Sequence, residues 1–253
     1  MFAGEGAGRI VANKGIISPV NTARRVCILS DHLVLIGACG WQHDDWGAEF
    51  YPEDLPEEWQ IGYYGNEYQV VMVPASYWCS EHDTYAEWLE ESDESLKMIG
   101  QWPEQGANQD EYQQAQEGIK AVSGRLLAVL IPLKSAVSHS ELAIYKELAA
   151  SYPLCFDIVP DQRAHLLPWL QEKFADVDYS ICWHADNECK QDLELGSVSV
   201  TRISGEVEPK RLRSILEHII SVGGPERHMV LIVDGQPPSM QLLENAGIIL
   251  DLL

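Results

Sequence analysis

The stretch Leu33–Trp59, LVLIGACGWQHDDWGAEFYPEDLPEEW, reads as a buried strand that ends in a turn and opens into an aromatic loop. Leu33–Ala38 is apolar or small throughout, the pattern of a strand covered on both faces. Gly37 and Gly40 bracket its end, where the backbone needs freedom to turn. Trp41, Trp46 and Tyr51 then crowd into the loop that closes at Pro52.

Seven further runs of the same kind follow: Gln69–Val73, Ser95–Gln101, Leu126–Ile131, Pro153–Ile158, Asp178–Trp183, Ser197–Arg202 and His228–Asp234. Helical segments fall between them. Glu57–Gly65 follows a proline and ends at a glycine. Asp83–Glu91 follows Ser80, with the Ser80/Asp83 spacing of a capping box. Asn108–Ser123, Ser138–Ser151, Gln162–Phe174 and Pro209–Val222 complete the set, with a short last helix at Gln241–Asn245 stopped by Gly247. The polar link Ala185–Gly196 has no amphipathic period, which predicts a missing or reduced helix between strands six and seven. Eight strands alternating with helices predict a parallel sheet closed into a TIM-type (β/α)8 barrel. An open doubly wound sheet is the alternative, weakened because no GxGxxG or Walker-type loop follows any strand. Residues 1–30 fall outside the alternation and read as an N-terminal extension, with Val26–Leu29 placed to cover the barrel floor. Residues 31–253 read as one barrel domain.

The chain has 253 residues, a normal size for one barrel, and 46% of them are hydrophobic. Its net charge is −22, from 17 basic and 39 acidic residues. Such a surface repels a nucleic-acid backbone and an anionic membrane alike. No apolar run approaches the roughly 20 residues needed to cross a bilayer, and the Gly-rich N-terminus lacks the apolar core of a secretory signal. These features point to the cytoplasm. The acidic stretch Glu81–Glu94 reads as a solvated helix face. The six cysteines form no CxxC pair and read as small buried thiols rather than a zinc or disulfide framework.

The opening segment resembles the YecE-like family, also called domain of unknown function 72. That family's barrels begin with a strand, a small-residue turn of G-x-S-G-W type, then D-W, F-Y-P and L-P. This chain supplies Gly37, Gly40, Trp41, Asp45, Trp46, Phe50, Tyr51, Pro52, Leu55 and Pro56 in that order. The resemblance continues more thinly to about residue 246 and implies a TIM-type barrel, without implying a reaction. The departures run in one direction. Where the family has an acid, an amide and a basic residue along and after strand two, this chain has Met72, Pro74 and Cys79. Gln101 stands for the lysine ending strand three. Val159 and Pro160 replace a basic pair after strand five, Ser204 a histidine after strand seven. Asp157, Arg202 and Asp234 remain.

From these residues come the candidate sites. Trp41, Tyr51, Trp78 and Trp102 are expected at strand ends, as an aromatic wall for a ring-shaped ligand or as packing over the barrel. Asp45 and Asp186 are added as polar ligand contacts. Asp157 and Asp234, with Arg202, are the candidate catalytic set. They read as a carboxylate pair with split pKa values or as a structural ion-pair network. His184, Asp186 and Glu188 suit a divalent metal by residue type, but read more simply as a polar loop, so no metal site and no cofactor is assigned. His43 with Asp44 and Asp45 reads as loop surface. Cys39 and Cys79, with His43 or His82 nearby, are weak candidates for a nucleophile. The leading expectation is a barrel that binds a small ligand at its C-terminal mouth with most family strand-end charges lost. The alternative is a hydrolase or isomerase acting on a sugar-like or anionic molecule through Asp157 and Asp234. A third reading is a partner-binding surface on the acidic helix or the extension. Oligomeric state is not specified by the sequence.

Overall fold

The computed structural model describes residues 34–47, 49–79, 83–185 and 189–253. The expected extension over residues 1–30 lies outside them, as do Ser80, His82, Asp186 and Glu188. Nine strand segments pair in parallel: β1 (Val34–Cys39), β2 (Val70–Val73), β3 (Lys97–Gln101), β4 (Leu126–Leu133), β5 (Leu154–Ile158), β6 (Tyr179–Ile181), β7 (Trp183–His184), β8 (Val198–Ser204) and β9 (His228–Asp234). Their order is β6-β5-β4-β3-β2-β1-β9-β8-β7. The two ends of that order, β6 and β7, are separated by Cys182 alone. They are the lower and upper parts of one strand, the lower paired to β5 and the upper to β8. At the switch, Cys182 N donates to Phe156 O at 2.9 Å and Ala185 N to Arg202 O at 3.0 Å. The sixth strand therefore joins the two edges of the sheet, and the protein is a TIM-type barrel.

The strands are apolar on both faces because each face meets a core. Along β9, Met229, Leu231 and Val233 pack outward against the helices, while Val230 and Ile232 join Leu35, Met72 and Leu130 inside the barrel. Around the sheet lie α1 (Gln60–Glu67), α2 (Asp83–Glu91), α3 (Gln109–Ala121), α4 (His139–Ala149), α5 (Arg163–Lys173), α6 (Pro209–Val222) and α7 (Met240–Leu250). Capping boxes start α3 at Asn108/Glu111 and α4 at Ser138/Glu141. The link between strands six and seven holds a 3-10 turn, Lys190–Glu194, in place of a full helix. Buried Asp192 in that turn is held by a two-pronged ion pair with Arg163 of α5. Among the described residues no helix is long and apolar enough to cross a membrane.

Two helices run past the glycines expected to stop them. The last helix runs through Gly247 to Leu250, because Leu242, Leu243 and Ala246 bury one face against the core. That burial outweighs the roughly 1 kcal/mol that a mid-helix glycine costs. The first helix passes Gly65 to Glu67 for the same kind of reason: Ile61 and Tyr64 are buried against the core.

The two glycines of the opening segment have different tasks. Gly40 has φ +76°, the left-handed conformation that glycine adopts without penalty. Gly37 is extended and is required for space, since a Cβ there would lie 1.7 Å from Val70 O and 2.9 Å from the Tyr64 hydroxyl. That hydroxyl accepts from Ala38 N at 2.7 Å and donates to Val70 O at 2.9 Å, bridging β1 and β2. Gly37→Ala is expected to force the two strands apart. The cost should reach about 3 kcal/mol, or roughly 6–12 °C in the unfolding midpoint of a chain this size. A midpoint within about 2 °C of wild type, measured by thermal circular dichroism, would contradict this close approach.

Candidate functional site

In a parallel barrel, side chains at the C-terminal strand ends converge on one mouth. Here the two sides of that mouth differ. On the β2–β4 side the strand ends carry Pro74, Gln101 and Pro132. On the β5–β9 side they carry Asp157, His184, Arg202 and Asp234, one from each of β5, β7, β8 and β9. Alternation along each strand places these residues two steps above apolar interior residues such as Cys155, Val200 and Ile232.

The four side chains form a continuous chain. His184 Nε2 lies 2.6 Å from Asp157 Oδ1. One terminal nitrogen of Arg202 donates to Asp157 Oδ2, and the other donates to Asp234 Oδ2. Gly235 N donates to Asp234 Oδ1 at 2.9 Å. The Cys39 thiol, at the end of β1, lies close enough to Asp234 to feel its charge. Exposure grades outward, from 13% at Asp157 and 16% at Arg202 to 28% at Asp234 and 31% at His184. Arg202 Nε is buried with no protein partner among the described residues.

The electrostatics follow from this geometry. Burial would raise the Asp157 carboxyl, but the His184 hydrogen bond and the Arg202 charge outweigh it and hold it below its ordinary value. Burial would likewise lower Arg202, and Asp157, with Cys182 and Asp234, pulls it above its ordinary value instead. Burial, reinforced by Asp234, pushes the Cys39 thiol up to about 12, which keeps it protonated and poorly nucleophilic. Beside the chain is a cavity of about 100 Å³, lined by His184, Arg202, Ser204, Glu206, Arg211 and Asp234 among others. Arg211 is steadied there by donating to Ala185 O at 3.0 Å.

The aromatic candidates sit elsewhere. Trp41, Tyr51, Trp78 and Trp102 are all buried in the outer core between strands and helices. Trp41 meets Tyr77 and Trp88 edge-on at 4.9 and 4.8 Å. Tyr51 donates to Trp41 O at 2.6 Å, and Trp78 Nε1 to Gln101 O at 2.6 Å. Trp102 stacks on Tyr112 at 5.8 Å. Their ring faces are occupied by other rings, so none of them lines the cavity. A strand-end tryptophan has the same sequence signature whether it packs or binds, which is why the sequence did not separate the two. Asp45 is exposed in the turn Asp44–Trp46 and does not line the cavity. His43 points back at its own strand, with Nε2 3.0 Å from Cys39 O. Asp186 lies outside the described residues. One group was missed by sequence reasoning: Cys182, beside Asp157 and His184. The available signal was the two-residue spacing Cys182–His184 on one strand, which puts both side chains on the same face.

The ion-pair chain makes a pH prediction. A carboxyl whose folded pKa is depressed adds stability that is fully present above its unfolded value, about 3.9, and is lost as pH falls through the folded value. Asp157→Asn should therefore destabilise by about 3 kcal/mol near neutral pH. The gap to wild type should close on acidification below about pH 4. Urea unfolding across pH checks this, and a gap of unchanged size at about pH 3 would contradict the assigned network.

No curated protein matches this sequence. A family model described as protein of unknown function DUF72 matches residues 35–155. The match spans β1 to the start of β5, including the aromatic loop and the Gly37 contact. It ends two residues before Asp157, so the whole charged chain lies in the part of the barrel beyond it. This match, over just under half of the chain, is consistent with a member of the DUF72 family, the YecE-like barrels of unknown function, and the charged mouth lies outside the matched segment.

Proposed function

We propose that the barrel mouth binds a small hydroxyl-bearing molecule, a sugar-like compound of a few carbons, on the Asp157–Arg202–Asp234 side. The observation that carries this reading is the convergence of four titratable side chains beside a small cavity at the C-terminal strand ends. Partly buried ion pairs stabilise a fold little better than apolar packing of the same volume. The proline-lined side of the same mouth illustrates how a strand end is covered without charge. Charges kept at the other side are therefore read as serving a ligand.

The chemistry of the lining narrows the ligand. Asp234 and Glu206 accept, Arg202 and Arg211 donate, and Ser204 and His184 do either. Hydroxyl groups, which both donate and accept, satisfy such a mixed lining better than a lone anion. The excess of 39 acidic over 17 basic residues also disfavours an anion at long range. The cavity of about 100 Å³ is well below the roughly 300–1,000 Å³ of clefts for drug-sized ligands, which favours a short molecule. The buried aromatic set takes a scaffolding role in this reading.

Turnover by Asp157 and Asp234 as an acid–base pair has less support. A carboxylic general acid must stay protonated near neutral pH, and Asp157 is displaced in the opposite direction while Arg202 grips both carboxylates.

A thermal-shift panel of three- to six-carbon polyols, aldoses and hydroxy acids tests the proposal. At about 100 times its dissociation constant a bound compound adds about 2.7 kcal/mol, which is roughly 5–10 °C here. At least one neutral polyhydroxy compound should produce this shift in wild type and lose it in Arg202→Met. A panel without any shift, or a shift that Arg202→Met preserves, would overturn the reading.

A further inference from the structure

We propose that Asp157, Cys182 and His184 form a binding site for a zinc-class transition-metal ion, set into the wall of the barrel mouth. One ligand atom from each of the three lies within 4.8 Å of the others. This inference goes beyond the small-molecule reading and stands or falls separately from it.

The site is built by strand geometry. Parallel pairing matches Phe156 with Ile181, so the next step of the register sets Asp157 of β5 level with Cys182. His184 is two residues further along the same strand and faces the same side. All three side chains therefore point into the barrel from two neighbouring strands, on backbone fixed by the ladder. Such placement keeps ligands more precisely than a loop does.

The donor set selects the metal. Carboxylate, thiolate and imidazole together suit zinc and its neighbours, whereas magnesium and calcium favour all-oxygen shells. Three protein ligands with a fourth position left over is the pattern of metal sites that keep one place for water or substrate. Here His184 also lines the cavity, so one ligand of the site borders it. The outer shell is present too. Arg202 holds the second oxygen of Asp157 and is itself held by Asp234, the kind of support that orients a ligating carboxylate.

Charge balance points the same way. With His184 neutral, Asp157, Arg202 and Asp234 leave one negative charge uncompensated in a partly buried cluster. A dication bound to a Cys182 thiolate brings the sum to zero. As the sulfur–metal bond forms, the thiol proton leaves to solvent, and no electron is transferred. Binding also requires a small adjustment. Bonds of roughly 2.0–2.1 Å at a tetrahedral centre place nitrogen and oxygen about 3.3 Å apart, against 2.6 Å between His184 Nε2 and Asp157 Oδ1. The His184 ring is 31% exposed and has room to make that shift.

The test is a cobalt(II) titration of chelator-treated full-length protein, followed by zinc displacement. One ion per chain should bind, giving the intense visible bands of a four-coordinate site and a thiolate-to-cobalt charge-transfer band in the near ultraviolet. Stoichiometric zinc should abolish both. Cys182→Ser should remove the charge-transfer band, and His184→Gln should weaken cobalt binding by about 100-fold or more, since even outer-shell changes cost about 10–100-fold. Cys189→Ser should leave the spectrum unchanged. Circular dichroism confirms that each variant is folded, and His184→Gln keeps the test decisive if Cys182→Ser is not. Absence of the four-coordinate bands in wild type, or a charge-transfer band that survives in folded Cys182→Ser, overturns the site. A polyol thermal shift that persists in chelator-treated protein would leave the small-molecule reading intact.

Discussion

Arg202 stands between two carboxylates that the barrel brings to the same face of its mouth. A carboxylate taken largely out of water costs several kcal/mol unless it is paired and hydrogen-bonded, and two of them side by side would raise each other's pKa. The planar guanidinium fork resolves this, because its two terminal nitrogens reach different acids. One goes past the sixth strand to Asp157 and the other to the neighbouring Asp234. With Asp157 held ionised, its remaining oxygen fixes the His184 ring. The chain from His184 to Asp234 thus passes through one side chain, itself placed by the ladder that pairs β8 with β9 from Val198 to Ser204.

The barrel divides its labour between halves. The first strands are packed by aromatic residues: Trp46 stacks parallel to Tyr64 at 6.4 Å and donates to Pro238 O at 3.0 Å, tying the opening loop to the far end of the chain. Tyr64 in turn bridges β1 and β2 at Gly37. This half coincides with the residues that the DUF72 model matches. The later strands carry the charges. The family match therefore covers the first four strands and the aromatic loop, while the chemistry of the mouth must be read from this chain's own residues.

The alternation of apolar runs with helical segments was enough to predict the eight-stranded barrel, because strands buried on two faces are nearly continuous in hydrophobicity. The reduced helix between strands six and seven was also visible, from the lack of period between Ala185 and Gly196. The break of the sixth strand at Cys182 was not, since no residue there marks a change of pairing partner. Among site residues, Asp157, Arg202 and Asp234 could be singled out because a charge at the end of an apolar strand is conspicuous. Pairing of Arg202 with one or other acid was among the sequence readings, but that it reaches both at once was not, because register across the strands is set by closure and not by local sequence. Trp41, Tyr51, Trp78 and Trp102 show the converse. Bulky rings at strand ends are conspicuous too, yet only tertiary packing decides whether a ring meets another ring or a ligand.

The most direct measurement of the central claim is nitrogen-15 NMR of the Arg202 guanidinium, assigned by loss of its signals in Arg202→Lys. A guanidinium bound to two separate carboxylates cannot rotate freely, so its two terminal nitrogens should give distinct, slowly exchanging resonances near neutral pH. In Asp157→Asn the pair should broaden or merge. A single averaged resonance in the wild-type protein would show that Arg202 does not bridge the two acids, and would contradict the account of the mouth.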